Sequence, residues 1–102
     1  MKKYNVIISD LAAKDFTKHL AFLSNVSHPA AKELKKRMLQ ALRSLEEMPN
    51  RFPFFQEAYI PNNKYHKMYV QNWYLVLYQI RDDTVYVDYI LDCRTDFQWL
   101  LK

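Results

Sequence analysis

Not one of the chain's 102 residues is glycine, and this absence constrains the backbone more than any motif present. Glycine enters the left-handed region of φ without steric cost. A chain lacking it must make its sharp reversals with residues that tolerate positive φ, and Asn and Asp do so best. Asn25, Asn50, Asn62, Asn63, Asn72 and Asp83 are therefore the expected turn positions. The same absence removes the glycine-rich loops that bring backbone N–H groups against a phosphate. A P-loop or dinucleotide-binding fingerprint is ruled out.

Half of the residues are hydrophobic and a quarter charged, the composition of a chain that folds. The length fits a single domain over residues 1–102, with a modest core. A large multidomain enzyme is excluded. Cys93 is the one cysteine, so no internal disulfide forms, and no Cys/His set has zinc-like spacing. The acidic residues do not gather as an oxygen-ligand set, so neither a metal nor another cofactor is expected. A reducing cytoplasm fits this cysteine usage. The opening Met1-Lys2-Lys3 looks like a signal n-region, but Asp10 and Lys14 interrupt what should be its apolar segment. No apolar run is long enough to cross a bilayer, so no membrane association is expected. The net charge of +4 is a mild bias toward anionic partners. The bases lie mostly in the first two thirds, whereas Asp82, Asp83, Asp88, Asp92 and Asp96 crowd the last quarter.

Periodicity gives the elements. Val6, Ile7 and Ile8 centre a first strand over Tyr4–Ser9, and Ser9 or Asp10 can cap the helix after it. Ala12, Phe16, Leu20 and Leu23 recur at helical spacing, with Asn25 as a stop. Ser27-His28-Pro29 opens a second helix, where a proline is tolerated in the first turn. Ala31, Leu34, Met38, Ala41, Leu42, Leu45 and Met48 form its apolar side, and it should end near Met48-Pro49. Pro49, Pro53 and Pro61 mark residues 49–63 as loop, with Phe52, Phe54 and Phe55 able to fasten it to the body. Three strands follow, over Tyr65–Val70, Trp73–Ile80 and Val85–Leu91. The short turns at Gln71-Asn72 and at residues 81–84 force them into an antiparallel meander. Residues 94–102, with Phe97, Trp99, Leu100 and Leu101, read as a short C-terminal helix. The fold class is α+β in the order β-α-α-β-β-β, a helical hairpin on a small, mainly antiparallel sheet. The helix pair covers one face; the second face is expected to stay at least partly open and to carry function.

This order resembles the RelE/ParE superfamily of bacterial toxin–antitoxin toxins. The lysine-rich second helix and the proline-containing loop match it. So do Tyr65-His66-Lys67-Met68, the strand Asn72-Trp73-Tyr74-Leu75-Val76-Leu77-Tyr78, and the run from Val87 to Phe97 with Arg94 in the turn after the last strand. The resemblance implies a toxin, neutralised by a cognate antitoxin protein that masks the exposed sheet face or the helix hairpin. One branch of the superfamily cleaves messenger RNA on the ribosome, and another blocks DNA gyrase. Fold alone does not choose between them.

The first expectation is a metal-independent, ribosome-dependent mRNA endonuclease, with ribosome and mRNA as partners. A ParE-like gyrase inhibitor and a non-catalytic interaction protein are the alternatives. On the enzyme reading, Arg94 stabilises transition-state charge at a phosphate and His66 moves a proton. The alternative for Arg94 is a pair with Asp92 or Asp96, and for His66 an ordinary strand histidine. Lys64, Lys67, Arg94 and Tyr89 are the candidate nucleic-acid contacts. Alternation sends His66 and Lys67 to opposite faces, and likewise Tyr86 and Tyr89. His66 is placed with Lys64 and Met68 on the basic track. Against the ribonuclease branch, Leu75 stands for an arginine, Met68 for a lysine and Phe97 near a catalytic tyrosine. His19, His28 and Cys93 read as structural or solvated.

Overall fold

The computed structural model describes residues 3–94. Strand β1 is Asn5–Ile8, helix α1 Asp10–Val26 and helix α2 His28–Ser44. Strands β2, β3 and β4 are His66–Val70, Tyr74–Arg81 and Thr84–Asp92. The expected element order is the observed one. The C-terminal helix with Phe97, Trp99, Leu100 and Leu101 lies outside the described residues. Among those described, no helix is long and apolar enough to cross a membrane.

One serine type builds both helix starts. The Ser9 hydroxyl accepts from the Ala12 N–H at 3.0 Å, and the Ser27 hydroxyl accepts from that of Ala30 at 3.2 Å. Each satisfies an N–H that the helix itself leaves unpaired. Ser27 also ends α1 by donating its backbone N–H to the Leu23 carbonyl at 2.7 Å. One residue thus closes the first helix and opens the second, and Asn25 is passed rather than used as a stop. At the other end α2 stops at Ser44, short of Met48-Pro49. Arg51 closes this end, donating to the Ser44 carbonyl at 3.3 Å and hydroxyl at 2.9 Å and to the Glu47 carbonyl at 2.7 Å. Met48, expected on the apolar stripe, is 64% exposed.

Positive φ falls at Met48, Asn63, Gln71, Asn72 and Asp82. Asn63 and Asn72 are among the expected positions. Gln71 and Asn72 are consecutive left-handed residues in the three-residue connection between Val70 and Tyr74, a region of φ that glycine enters at no steric cost. Asp82 takes the place expected for Asp83.

The sheet order is β1-β4-β3-β2, with β1 parallel to β4 and the other pairs antiparallel. The helix pair lies on one face. Ala12, Leu34, Met38, Leu42 and Leu45 meet Met68, Val70, Val76, Tyr78, Val85, Val87 and Ile90 in the main core. The second face is not open as expected. Phe55 and Ile60 of the long loop pack with Tyr65 over Leu75, Leu77 and Leu91. The loop is held by a short antiparallel bridge, in which Phe55 N–H donates to the Tyr65 carbonyl and Lys67 N–H to that of Pro53. Fastening the loop through Phe55 was legible; its effect of roofing the second face was not.

Candidate functional site

The side-chain layout is decided by one irregularity in β4. Tyr78 registers with Val87 and Leu77 with Tyr89, so Asp88 is the extra residue of a bulge. A bulge resets the two-residue alternation. Tyr86 opposes Gln79 and Tyr89 opposes Leu77, and Gln79 and Leu77 share a face. Tyr86 and Tyr89 therefore lie on the same, second face, not on opposite faces. The bulge is pinned from both sides. Ser9 donates its N–H to the Val87 carbonyl and its hydroxyl to that of Asp88, and Gln79 donates its amide to the Asp88 carboxylate at 2.7 Å.

The register also separates the expected site residues. His66, Met68 and Val70 oppose Tyr78, Val76 and Tyr74 on the helix side, whereas Lys67 and Tyr69 oppose Leu77 and Leu75 on the second face. His66 is 8% exposed. Its Nδ1 is 2.8 Å from the Phe52 carbonyl, and its ring stacks on Tyr78 and lies 4.2 Å from that of Phe54. The expectation of His66 on an open basic face is corrected: the ring is wedged between β3 and the start of the loop. Lys67 and Tyr89, both half-buried, border the second face. Lys64 is exposed, its ammonium 5.3 Å from the Tyr65 ring centre, and Tyr65 meets Tyr89 edge-on.

Arg94 sits at the other end of the sheet. Its Nε and Nη2 donate to the two Asp92 carboxylate oxygens at 3.1 and 3.2 Å, its backbone N–H donates to Oδ1, and Nη2 reaches the Tyr74 hydroxyl at 3.0 Å. Asp92 is 2% exposed, so the guanidinium neutralises a carboxylate that could not stand alone. These bonds and the charge of Asp92 hold the Arg94 pKa above its ordinary value, against the opposing effect of burial. Trp73, 52% exposed, and Tyr74 flank the guanidinium. His19 of α1 completes the group, with Nε2 3.0 Å from the Ile90 carbonyl and its ring against Tyr74. Arg94 borders Tyr74 while His66 opposes Tyr78, four residues along β3 or about 13 Å at strand rise. One compact acid–base site holding both does not form. Sequence spacing gave no signal for His19 or Tyr74 here, because the contact joins residues far apart in the chain.

A third feature lies on the opposite side of the molecule. Thr17, Leu20, Ala21 and Ser24 of α1 and Ala31 of α2 line a groove between the helices, rimmed by Lys32 and Lys35. Ala13, Lys14 and Lys18 line a second hollow that shares Thr17 with it. An apolar floor of small residues between lysine rims is the shape that receives an amphipathic helix.

Three surfaces on one small α+β fold raise the question of kinship, and the answer comes from the whole sequence. The profile of the ParE toxin of type II toxin–antitoxin system, parDE, matches residues 6–97. The chain belongs to the ParE toxin family. No curated protein matches it in a sequence search. Among solved structures it is similar to a chain of the chromosomal ParDE toxin–antitoxin system from P. aeruginosa. The TM-score is 0.72 at 11% identity, over 88% of this chain and 96% of that one; at that identity the likeness speaks for the fold. The superfamily resemblance thus holds, and within it the match is to the ParE branch. That overturns the first expectation, a ribosome-dependent mRNA endonuclease with ribosome and mRNA as partners. Leu75, which the resemblance matches to the ribonuclease branch's arginine, is 1% exposed beneath the loop.

Proposed function

We propose that this ParE family member is a growth-inhibiting toxin that acts on DNA gyrase and is neutralised by a ParD-type antitoxin. The family match over residues 6–97 carries this reading. Two structural observations support it. The second face is roofed by Phe55 and Ile60, so among the described residues the sheet there meets a partner through the side chains at its margin. The groove between α1 and α2, with its lysine rims, suits an acidic amphipathic segment of the antitoxin.

On this reading Lys67 and Tyr89 on the second face, Lys64 beside Tyr65, and Arg94 on the helix side at the far end of the sheet are contacts with the gyrase complex and not chemical groups. Arg94 presents its half-exposed guanidinium beside Trp73, a combination common at protein hot spots. The test is a supercoiling assay with purified gyrase and relaxed plasmid. Added toxin should halt supercoiling and accumulate broken DNA, and added antitoxin should restore turnover. Supercoiling that proceeds unchanged at a large excess of toxin would refute the proposal.

A further inference from the structure

The excess charge of the molecule has a single address. Helix α2 carries Lys32, Lys35, Lys36, Arg37 and Arg43 against Glu33. The whole chain has fifteen basic and eleven acidic residues, histidines counted neutral. Taking away the five and the one of α2 leaves ten of each elsewhere. One helix of 17 residues therefore holds the entire net charge of +4, and the remainder of the chain is neutral.

Within α2 the bases are ordered. At about 100° per residue, Lys32, Lys36 and Arg43 fall within about 40° of one another, in a column about 17 Å long. The column stands about 140–180° around the helix from Leu34 and Met38, which are buried, so it forms the outward ridge of the helix. All three residues are exposed, and among the described residues no carboxylate forms an ion pair with them. The one acidic residue of the helix is turned aside: Glu33 is paired with Arg37 at 2.8 Å on the flank. Lys3 adds a further base beside Lys36 and Arg43, along a shallow groove also lined by Gln40, Glu46 and Glu47. The two glutamates mark where the cationic strip stops.

We propose that the outer ridge of α2 is a binding surface for the phosphate backbone of duplex DNA. The shallow groove along this ridge is walled by charged and polar side chains, with Leu39 as its one apolar lining residue, so it gives a helical partner little to bury. That role belongs to the groove between α1 and α2, which shares Lys32 with the ridge but neither Lys36 nor Arg43. A regular polyanion needs no such anchor, and about 17 Å of B-DNA axis presents about ten phosphate charges. The inference goes beyond the gyrase reading and does not rest on it, since DNA can be titrated with no gyrase present.

The experiment is a fluorescence anisotropy titration of a 30-base-pair duplex of mixed sequence with the full chain at several salt concentrations. Three phosphate contacts give a slope of about −2.7 in log affinity against log salt, or a roughly forty-fold loss between 50 and 200 mM. Lys36→Gln should lower the slope by about 1. The triple variant Lys32→Gln/Lys36→Gln/Arg43→Gln should lose most of the binding at 50 mM. Lys14→Gln/Lys18→Gln, on the groove rim, should bind like the wild type. The circular dichroism melt should be unchanged in all variants, because every altered side chain is exposed. Absent binding at 50 mM, equal binding by wild type and triple variant, or equal competition by poly-glutamate would each overturn the inference; the last would assign the ridge to an acidic protein. A supercoiling assay on the same preparations judges the gyrase reading separately, because it can fail while the DNA titration succeeds, and the reverse.

Discussion

The two faces of the sheet are covered by different means. On the helix side, two long amphipathic helices bury Met68, Val76, Val85, Val87 and Ile90 in a continuous core. On the second side, a loop does the work with a few side chains, and Phe55 and Ile60 reach over Leu75, Leu77 and Leu91. A helix presents a rigid stripe, so what it covers is set by periodicity. A loop can follow a cavity as it forms. The helix side should therefore be stiff and costly to empty, and the second side more forgiving and freer to carry polar groups at its margin. Lys67, Gln79, Asp88 and the tyrosines Tyr86 and Tyr89 stand half-buried at that margin, and they are the groups a partner can reach.

The sharpest test compares the same substitution on both faces. Leu34→Ala, on α2 with no exposure, should cost about 3–5 kcal/mol, because two packed helices relax little around the void. Leu75→Ala, equally buried beneath the loop, should cost about 2 kcal/mol, because Phe55 can settle toward the sheet. Urea midpoints for the two variants give the difference directly. Equal losses would mean that the loop is as rigid as the helices, and the contrast between the faces would fall.

Next in size is the ion pair at the end of the sheet. Arg94→Ala leaves the buried Asp92 carboxylate without its guanidinium and should cost about 2–3 kcal/mol, moderated by the access that water gains at a half-exposed site. Loss of toxicity in that variant would then report damaged folding as much as a lost contact. The double variant Asp92→Asn/Arg94→Gln removes the charge conflict and should recover most of the stability. A double variant that is stable and non-toxic would assign Arg94 to target contact. One that is stable and fully toxic would confine Arg94 to holding Asp92.

Where pattern is local, the fold was legible. The helix starts at Ser9 or Asp10 and at Ser27-His28-Pro29, the apolar stripes as far as Leu45, the turn at Gln71-Asn72 and the order of elements along the chain follow from spacing and turn chemistry. Beyond the roofing of the second face, three features of the site were not. The bulge at Asp88 has no local signature, because it exists only in the register between two strands, and it moves Tyr89 to the face of Tyr86. Burial of His66 depends on Phe54 and Phe52 folding back across β2, contacts that no periodicity encodes. Arg94 was legible as a singular residue after the last strand, and Asp92 as its alternative partner. The Tyr74 hydroxyl that completes the arrangement comes from β3, twenty residues away. Site geometry of this kind is a property of strand pairing, which a one-dimensional reading sees only in part.

A smaller effect belongs to a hydroxyl on the helix side. Tyr78 is fully buried and donates to the Pro49 carbonyl at 2.6 Å, tying the end of the helical layer to the central strand. Tyr78→Phe keeps the ring and strands that carbonyl, at a cost of about 1–2 kcal/mol. Thermal melts should show a drop of several degrees, since 1 kcal/mol moves a domain of this size by about 4–8 °C. An unchanged melt would indicate that water replaces the hydroxyl, and that this part of the core is less dry than its burial suggests.

The smallest predicted effect returns to the second face and appears only in alkali. Burial, followed by the neighbouring Asp88 and Tyr89, pushes the Tyr65 hydroxyl up to about 12. An unfolded tyrosine ionises near 10. Between those values the folded chain still holds a proton that the unfolded chain has released, so stability is complete below about pH 10 and falls as the pH rises toward 12. Tyr65→Phe deletes that proton and should flatten this part of the alkaline loss, although it also removes a hydroxyl at neutral pH. The informative quantity is the drop in urea midpoint between pH 8 and pH 11, compared for wild type and variant, because lysine ionisation is common to both and cancels. A smaller drop in the variant places Tyr65 in a closed environment beneath the loop. An identical drop would mean that the hydroxyl ionises as freely as in water, and that the loop opens often enough to leave the second face exposed.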